Sequence, residues 1–274
     1  VIEKIIYRNM NKEYIAVLIP IYTTSLNPQE TISLKQNIKV LKDYTIIFVK
    51  PETLDISVGG MSNIYNPALH RTESFDDRYF KSLRGYNKLV LEEEFYSRFA
   101  EYGYVLICQT DAYVFRDELL DWCLKGYDYI GAPWPPMRKH RLNFFDRISY
   151  RWRIRRFRQN KNRFHRTQVG NGGLSLRKTD TFIRITSKYK EHFAGLLSDD
   201  RKFYPEDLML LLELEHTEDR LHKPGFDEAL RFAFDENPQW VYNYQNGQLP
   251  FGCHAWYKPQ AHYDFWKRFI KDAD

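Results

Sequence analysis

The stretch Tyr104-Val-Leu-Ile-Cys-Gln-Thr-Asp111 holds five consecutive apolar positions and then closes on a carboxylate. A strand that is apolar at every position, without polar alternation, is covered on both faces, as in a parallel sheet flanked by helices. The segments around it repeat the theme. Tyr14–Ile21 and Tyr44–Val49 are two further apolar runs rich in β-branched residues, the second closed by Pro51. Asn27-Pro28 supplies an N-cap and a first helical position for a periodic segment reaching Leu41. A second helix is predicted from Leu83 to Tyr102, a short one over Asp117–Leu124, and a strand over Tyr127–Gly131 that stops at Ala132-Pro-Trp-Pro-Pro136. Helical patterns follow near Thr179–Lys188, Glu206–Glu215, Glu228–Phe234 and His262–Ile270. Strands alternating with helices give an α/β fold: a Rossmann-like, mostly parallel central sheet with helices on both faces and a mixed C-terminal half.

Composition agrees with such a globule. The chain has 274 residues, 43% hydrophobic, 16% aromatic and 28% charged, which excludes a disordered or fibrous protein. One domain spanning 1–274 is expected, with a basic aromatic insertion at 137–166. Met137–Arg166 carries twelve Lys/Arg against the single acid Asp146, a local charge of +11, whereas the whole chain carries +5. A basic patch on an otherwise acidic chain points to a local anionic partner. Phe144, Phe145, Tyr150, Trp152, Phe157 and Phe164 are threaded among these cations, and the segment is expected to be helical. Cys108, Cys123 and Cys253 are odd in number and widely spaced, with no zinc-ligand pairing, so a reducing compartment is expected. The longest apolar run, Ile15–Tyr22, is far shorter than the roughly 20 residues that span a bilayer. These features imply a cytoplasmic protein, touching a membrane only at its surface.

In open α/β sheets ligands bind beyond the carboxyl ends of the strands, so the residues after each apolar run matter most. Asp111, after Tyr104–Cys108, suits a divalent cation alongside phosphate oxygens, and equally suits a turn or helix cap. Gly170-Asn-Gly-Gly173 is a backbone that either turns with positive φ or lets a neighbour approach closely. It has neither the context of a dinucleotide fingerprint nor the Lys-Ser/Thr of a P-loop. Pro205-Glu-Asp207 opens an apolar helix, where paired acids commonly serve the helix dipole. His254, within Phe251-Gly-Cys-His-Ala-Trp256, is a core histidine or a metal ligand.

Taken in order, the strand ending in x-x-Asp, the glycine loop, the Glu-Asp pair and the late histidine resemble the core of GT-A-fold glycosyltransferases. Gly85-Tyr-Asn-Lys-Leu89, Gln109-Thr-Asp111, Tyr127-Asp-Tyr-Ile-Gly-Ala-Pro-Trp134 and Val169-Gly-Asn-Gly-Gly-Leu-Ser-Leu-Arg177 look, more narrowly, like a bacterial family of such enzymes. The resemblance covers about residues 14–257. It implies that Asp111 stands at the last position of the Asp-x-Asp metal motif and that His254 is the other protein ligand of a Mn²⁺ or Mg²⁺ ion. Gln109 stands at the first position, where the family norm is an acid. Asp207 would be the general base of an inverting transfer, with Glu206 beside it holding hydroxyls. Thr110, Asn171, Gly172 and Gly173 would lie against the donor, with Arg84, Asn87, Tyr22 and Trp134 as further donor contacts.

The implied activity is the metal-dependent, inverting transfer of a sugar from a nucleotide-diphosphate donor, a UDP-sugar by preference, to a surface-glycan or lipid-linked acceptor. Peripheral membrane contact is assigned to 137–166, and no nucleic acid is expected as partner. Three alternatives remain at this level: a glycoside hydrolase using two carboxylates, a nucleic-acid module built on the basic segment, and an inactive sugar-binding relative in which Gln109 has replaced the acid.

Overall fold

The computed structural model describes residues 11–134, 170–198 and 205–271. The basic segment 137–166, with its expected helix and membrane contact, lies outside them. Six strands form the main sheet: β1 (Ile15–Pro20), β2 (Thr45–Pro51), β3 (Arg71–Phe75), β4 (Tyr104–Cys108), β6 (Tyr129–Gly131) and β7 (Leu174–Lys178). Their spatial order is β3-β2-β1-β4-β7-β6. The first four are mutually parallel, with Val17 opposite Ile46 and Leu106, and β7 runs antiparallel between β4 and β6.

Every residue of β1 and β4 is buried, and the two-residue period of a strand divides them between two cores. Ile15, Val17, Ile19, Leu106 and Cys108 join one apolar cluster. Ala16, Leu18, Val105 and Ile107 join the other. Helices therefore cover both faces. Helix α1 (Pro28–Val40) starts where Asn27 and Glu30 bond each other's backbone N–H groups in a capping box. The helix expected over Leu83–Tyr102 is instead two, α2 (Leu83–Leu89) and α3 (Glu93–Ser97). Between them Val90 and Leu91 both turn into the core, and Tyr96 Oη donates to the Val90 carbonyl at 2.9 Å, satisfying a group that the break leaves without a helical partner. Helices α4 (Leu119–Leu124), α5 (Thr179–Lys188), α6 (Lys190–Ser198), α7 (Glu206–Glu213) and α8 (Phe226–Phe232) follow. No helix among the described residues is long and apolar enough to cross a membrane.

A second sheet, not foreseen from sequence, joins three two-residue strands, β5 (Tyr113–Val114), β8 (Ala233–Phe234) and β9 (Gly252–Cys253), in the order β5-β9-β8. Asp111 immediately precedes this sheet, and Asp235 and His254 leave it, so its pairing brings three distant segments together. Asn37 of α1 anchors it. Its buried carboxamide donates to the Ala112 carbonyl at 2.8 Å and accepts from Val114 N–H at 2.8 Å.

Replacing Asn37 with Ala orphans both backbone groups. At roughly 1–3 kcal/mol for each buried group left unpaired, Asn37→Ala is expected to lower unfolding stability by about 2–6 kcal/mol. Urea denaturation checks this through a lower midpoint at unchanged slope.

Candidate active site

At the carboxyl ends of β1 and β4 lies a cavity of about 630 Å³, lined by Pro20, Tyr22, Phe80, Tyr86, Gln109, Thr110, Asp111, His254 and Lys258 among others. Asp111 is 9% exposed. Its Oδ1 lies 3.3 Å from His254 Nε2 and its Oδ2 accepts from Lys258 Nζ at 3.2 Å. Gln109 Oε1 is also 3.3 Å from His254 Nε2. The other imidazole nitrogen, Nδ1, bonds Asp235 Oδ1 at 3.0 Å, and Asp235 Oδ2 accepts from Asn171 Nδ2 at 3.0 Å. Burial, the largest single influence, disfavours charge on both Asp111 and His254, but their mutual attraction, their hydrogen bonds and their other charged partners together outweigh it. His254 is raised to about 10, with Asp235 assisting, and Asp111 is held well below the usual carboxylate range, with Lys258 assisting.

The glycine loop is a close-approach device. Gly172 and Gly173 do not need left-handed backbone; they need the absence of a side chain. A Cβ on Gly173 would stand 2.1 Å from His254 Nε2, and one on Gly172 would stand 2.4 Å from Glu206 Oε1. Gln109 N–H donates to the Gly173 carbonyl at 2.9 Å, extending the β4–β7 ladder into the loop. Asn171 Oδ1 accepts from Gly173 N–H at 2.9 Å, so one carboxamide ties the loop to Asp235.

Behind this loop stand the two acids that open α7. Glu206 pairs with Arg177 of β7, Oε1 to Nη2 at 2.6 Å, and the guanidinium is fully buried. Tyr96 Oη at 2.7 Å, Ser175 Oγ at 3.1 Å and the faces of Tyr129 and Phe182 complete its surroundings. Asp207 accepts from Gly172 N–H at 3.2 Å and from Leu208 N–H at 2.7 Å. Burial, and after it the neighbouring Glu206 charge, push its carboxyl well above the ordinary aspartate value.

The structure brings Asp111, His254, Gln109 and Thr110 together at the cavity, with Tyr22 on its wall and 58% exposed. Asn171, Gly172 and Gly173 are tied to them through Asp235 and Gln109, and Glu206 and Asp207 stand behind Gly172, none of these five lining the cavity. Thr110 turns its hydroxyl to Glu30 Oε1 at 3.1 Å. Arg84, Asn87 and Trp134, the remaining expected donor contacts, are likewise not among the cavity-lining residues. Arg84 donates to the Leu197 carbonyl of α6, Asn87 is buried, and Trp134 is buried against Gly170. Asp235 and Lys258 were missed from sequence. Asp235 follows the apolar pair Ala233-Phe234, the same strand-mouth position that singled out Asp111.

No described group of three or more His, Cys, Asp or Glu side chains forms a metal cage. The donors present nonetheless fit an oxygen-preferring divalent cation that takes the rest of its ligands from phosphate and water. A carboxylate, an amide oxygen and an imidazole nitrogen converge at the cavity, and the far imidazole nitrogen is fixed by a carboxylate, the usual support of a metal-bound histidine.

Residues 70–254 match the family model described as Protein of unknown function (DUF5672). The chain belongs to the DUF5672 family. Among curated proteins, none matches this DUF5672 chain. Its fold is similar to that of solved glycosyltransferases. Galactosyltransferase LgtC, in complex with donor and acceptor sugar analogs, superposes with a TM-score of 0.56 at 12% identity, over 90% of this chain and 91% of that one. Mouse xyloside xylosyltransferase 1 gives 0.51 at 13% identity, over 88% and 96%. Core-mannan synthase A from Aspergillus fumigatus, in its Mn/GDP form, gives 0.51 at 9% identity, over 75% and 70%. At these identities the likeness is one of fold, and the fold of this DUF5672 protein is GT-A.

The Arg177–Glu206 pair yields a stability test. Glu206→Leu leaves a buried guanidinium without its counter-charge and is expected to cost about 3–5 kcal/mol, whereas the double variant Arg177→Met/Glu206→Leu recovers most of the loss. Guanidinium denaturation of the single and double variants measures both.

Proposed function

We propose that the protein is a glycosyltransferase that uses a divalent cation, Mn²⁺ or Mg²⁺, to transfer a sugar from a UDP-sugar to a glycan or lipid-linked glycan acceptor. The observation that carries this is the convergence of Asp111, Gln109, His254 and Lys258 on one cavity at the strand ends of a GT-A fold. Fold neighbours described with donor and acceptor sugar analogs, or in a Mn/GDP form, support the same substrate class.

Asp111 Oδ1, His254 Nε2 and Gln109 Oε1 would hold the metal, which when bound neutralises charge on the diphosphate. The chain's own groups do the rest. Asp235 holds the His254 ring in one orientation, as it accepts from Nδ1. Lys258 supplies a fixed positive charge beside Asp111, where negative charge grows as the sugar–phosphate bond breaks. The glycine loop lets a ligand lie against backbone. Asp207 takes the proton of the acceptor hydroxyl, and a single displacement inverts the anomeric centre. Its raised pKa makes the ionised carboxylate a stronger proton acceptor than an ordinary aspartate.

A thermal-shift screen of UDP-sugars with Mn²⁺ tests the class of reaction. A ligand at a hundred times its dissociation constant stabilises by roughly 2.7 kcal/mol, a shift that is easily read. Asp111→Ala and His254→Ala are each expected to abolish Mn²⁺-dependent UDP binding in calorimetric titration while the protein remains folded. UDP affinity that survives EDTA, or either variant binding as the wild type does, counts against the metal assignment.

Asp207→Asn is expected to lower kcat by about 10²–10⁴-fold with UDP-sugar affinity little changed. Because only the ionised carboxyl accepts a proton, wild-type kcat should climb as pH rises through the raised Asp207 value. Retained anomeric configuration in the product, read by proton NMR, overturns the base assignment.

A further inference from the structure

One polar side chain of the cavity has no task in the chemistry above. Tyr86, on α2, lines the cavity together with Gln109, Asp111 and His254. Its Oη is closed off from solvent and has no hydrogen-bond partner among the described residues. The Arg177 guanidinium and the Gln109 carboxamide are polar neighbours, and neither completes a hydrogen bond of normal geometry with it. Burial drives the phenol's pKa well up, against the opposing pull of Arg177, so the group is an un-ionised O–H donor at neutral pH.

Buried hydroxyls are almost always paired, and an orphan at a cavity wall marks where a ligand supplies the partner. The position is built rather than accidental. Ser82 accepts from Gly85 N–H at 3.1 Å to cap α2, and Tyr86 N–H donates to the Ser82 carbonyl at 3.0 Å. Gly85 packs so tightly that a Cβ there would stand 2.8 Å from the carbonyls of both Arg78 and Tyr79. The phenol is thus held by helix backbone and not by a loop.

The character of the partner follows from what surrounds the hydroxyl. Lys258 stands beside Asp111 and Lys81 also lines the cavity, and it is at these two ammonium groups that phosphate oxygens find positive charge. Near Tyr86, Arg177 already spends its charge on Glu206, so the phenol offers a neutral donor next to a neutralised pair. That suits an uncharged hydroxyl oxygen.

We propose that Tyr86 donates a hydrogen bond to a hydroxyl oxygen of the transferred sugar and so selects among hexose donors. The assignment rests on the glycosyltransferase function proposed above.

Calorimetric titration of wild type and Tyr86→Phe with UDP, UDP-glucose and UDP-galactose, all with Mn²⁺, separates the outcomes. For whichever UDP-hexose the wild type prefers, the Phe variant is expected to bind about tenfold more weakly, with UDP affinity unchanged. The melting temperature should hold or rise, since the lost hydroxyl has no hydrogen-bond partner among the described residues. Equal UDP-hexose affinity in the two proteins overturns the proposal, and an equal loss for UDP overturns it by moving the contact to the phosphates. Absence of any UDP binding by the wild type overturns the glycosyltransferase function itself, and this proposal with it.

Discussion

The imidazole of His254 is bonded on both sides by carboxylates from other strand ends, Asp111 after β4 and Asp235 after β8. Each partner comes from a different part of the chain, and the small β5-β9-β8 sheet sets their spacing. Asn171 then ties the glycine loop to Asp235, so four segments separated by up to 143 positions along the chain are locked through one ring. A buried charge without such partners would be expelled or neutralised. With them it becomes a rigid node, and rigidity is what a site needs if it is to hold ligand atoms to within fractions of an ångström.

Much of this was legible in the sequence because long apolar runs declare themselves. Ile15–Pro20 and Tyr104–Cys108 lack alternation and could only be doubly covered strands, and Asp111 follows directly from that placement. Gly172 and Gly173 were identified as special; the structure decides between their two uses in favour of close approach. What could not be read depended on tertiary partners. Arg71-Thr-Glu-Ser-Phe75 is a polar edge strand in which only Phe75 is buried, so no period marks it. Strands of two residues carry no pattern at all, and with them went the signal for Asp235. The break between α2 and α3 was hidden because Val90 and Leu91 continue an apolar pattern that a helix would equally explain.

The two buried acids of α7 divide their labour through their partners. Glu206 is committed to Arg177, within a shell of Tyr96, Tyr129 and Phe182. Among the described residues Asp207 accepts from backbone N–H groups alone, and next to Glu206 its ionised form is disfavoured twice, by burial and by like charge. Adjacent carboxyls in one environment thus differ in chemistry because Arg177 pairs with Glu206, while Lys178, the other cation of β7, lies by Asp180.

Charge balance accounts for a neutral amide, Gln109, beside Asp111 and His254. Asp111 and Asp235 bring two negative charges to the node, and Lys258 and a protonated His254 bring two positive ones, so the cluster is balanced before any ligand arrives. An acid at 109 would tip it toward negative and repel a diphosphate unless a metal were already seated. Gln109 retains an oxygen donor for a cation without that repulsion. A divalent ion held by Asp111, Gln109 and His254 in place of the His254 Nε2 proton would, on the proposed function, add positive charge for an anionic ligand. On the proposed function, the neutral amide weakens the hold on metal alone and favours metal and diphosphate arriving together.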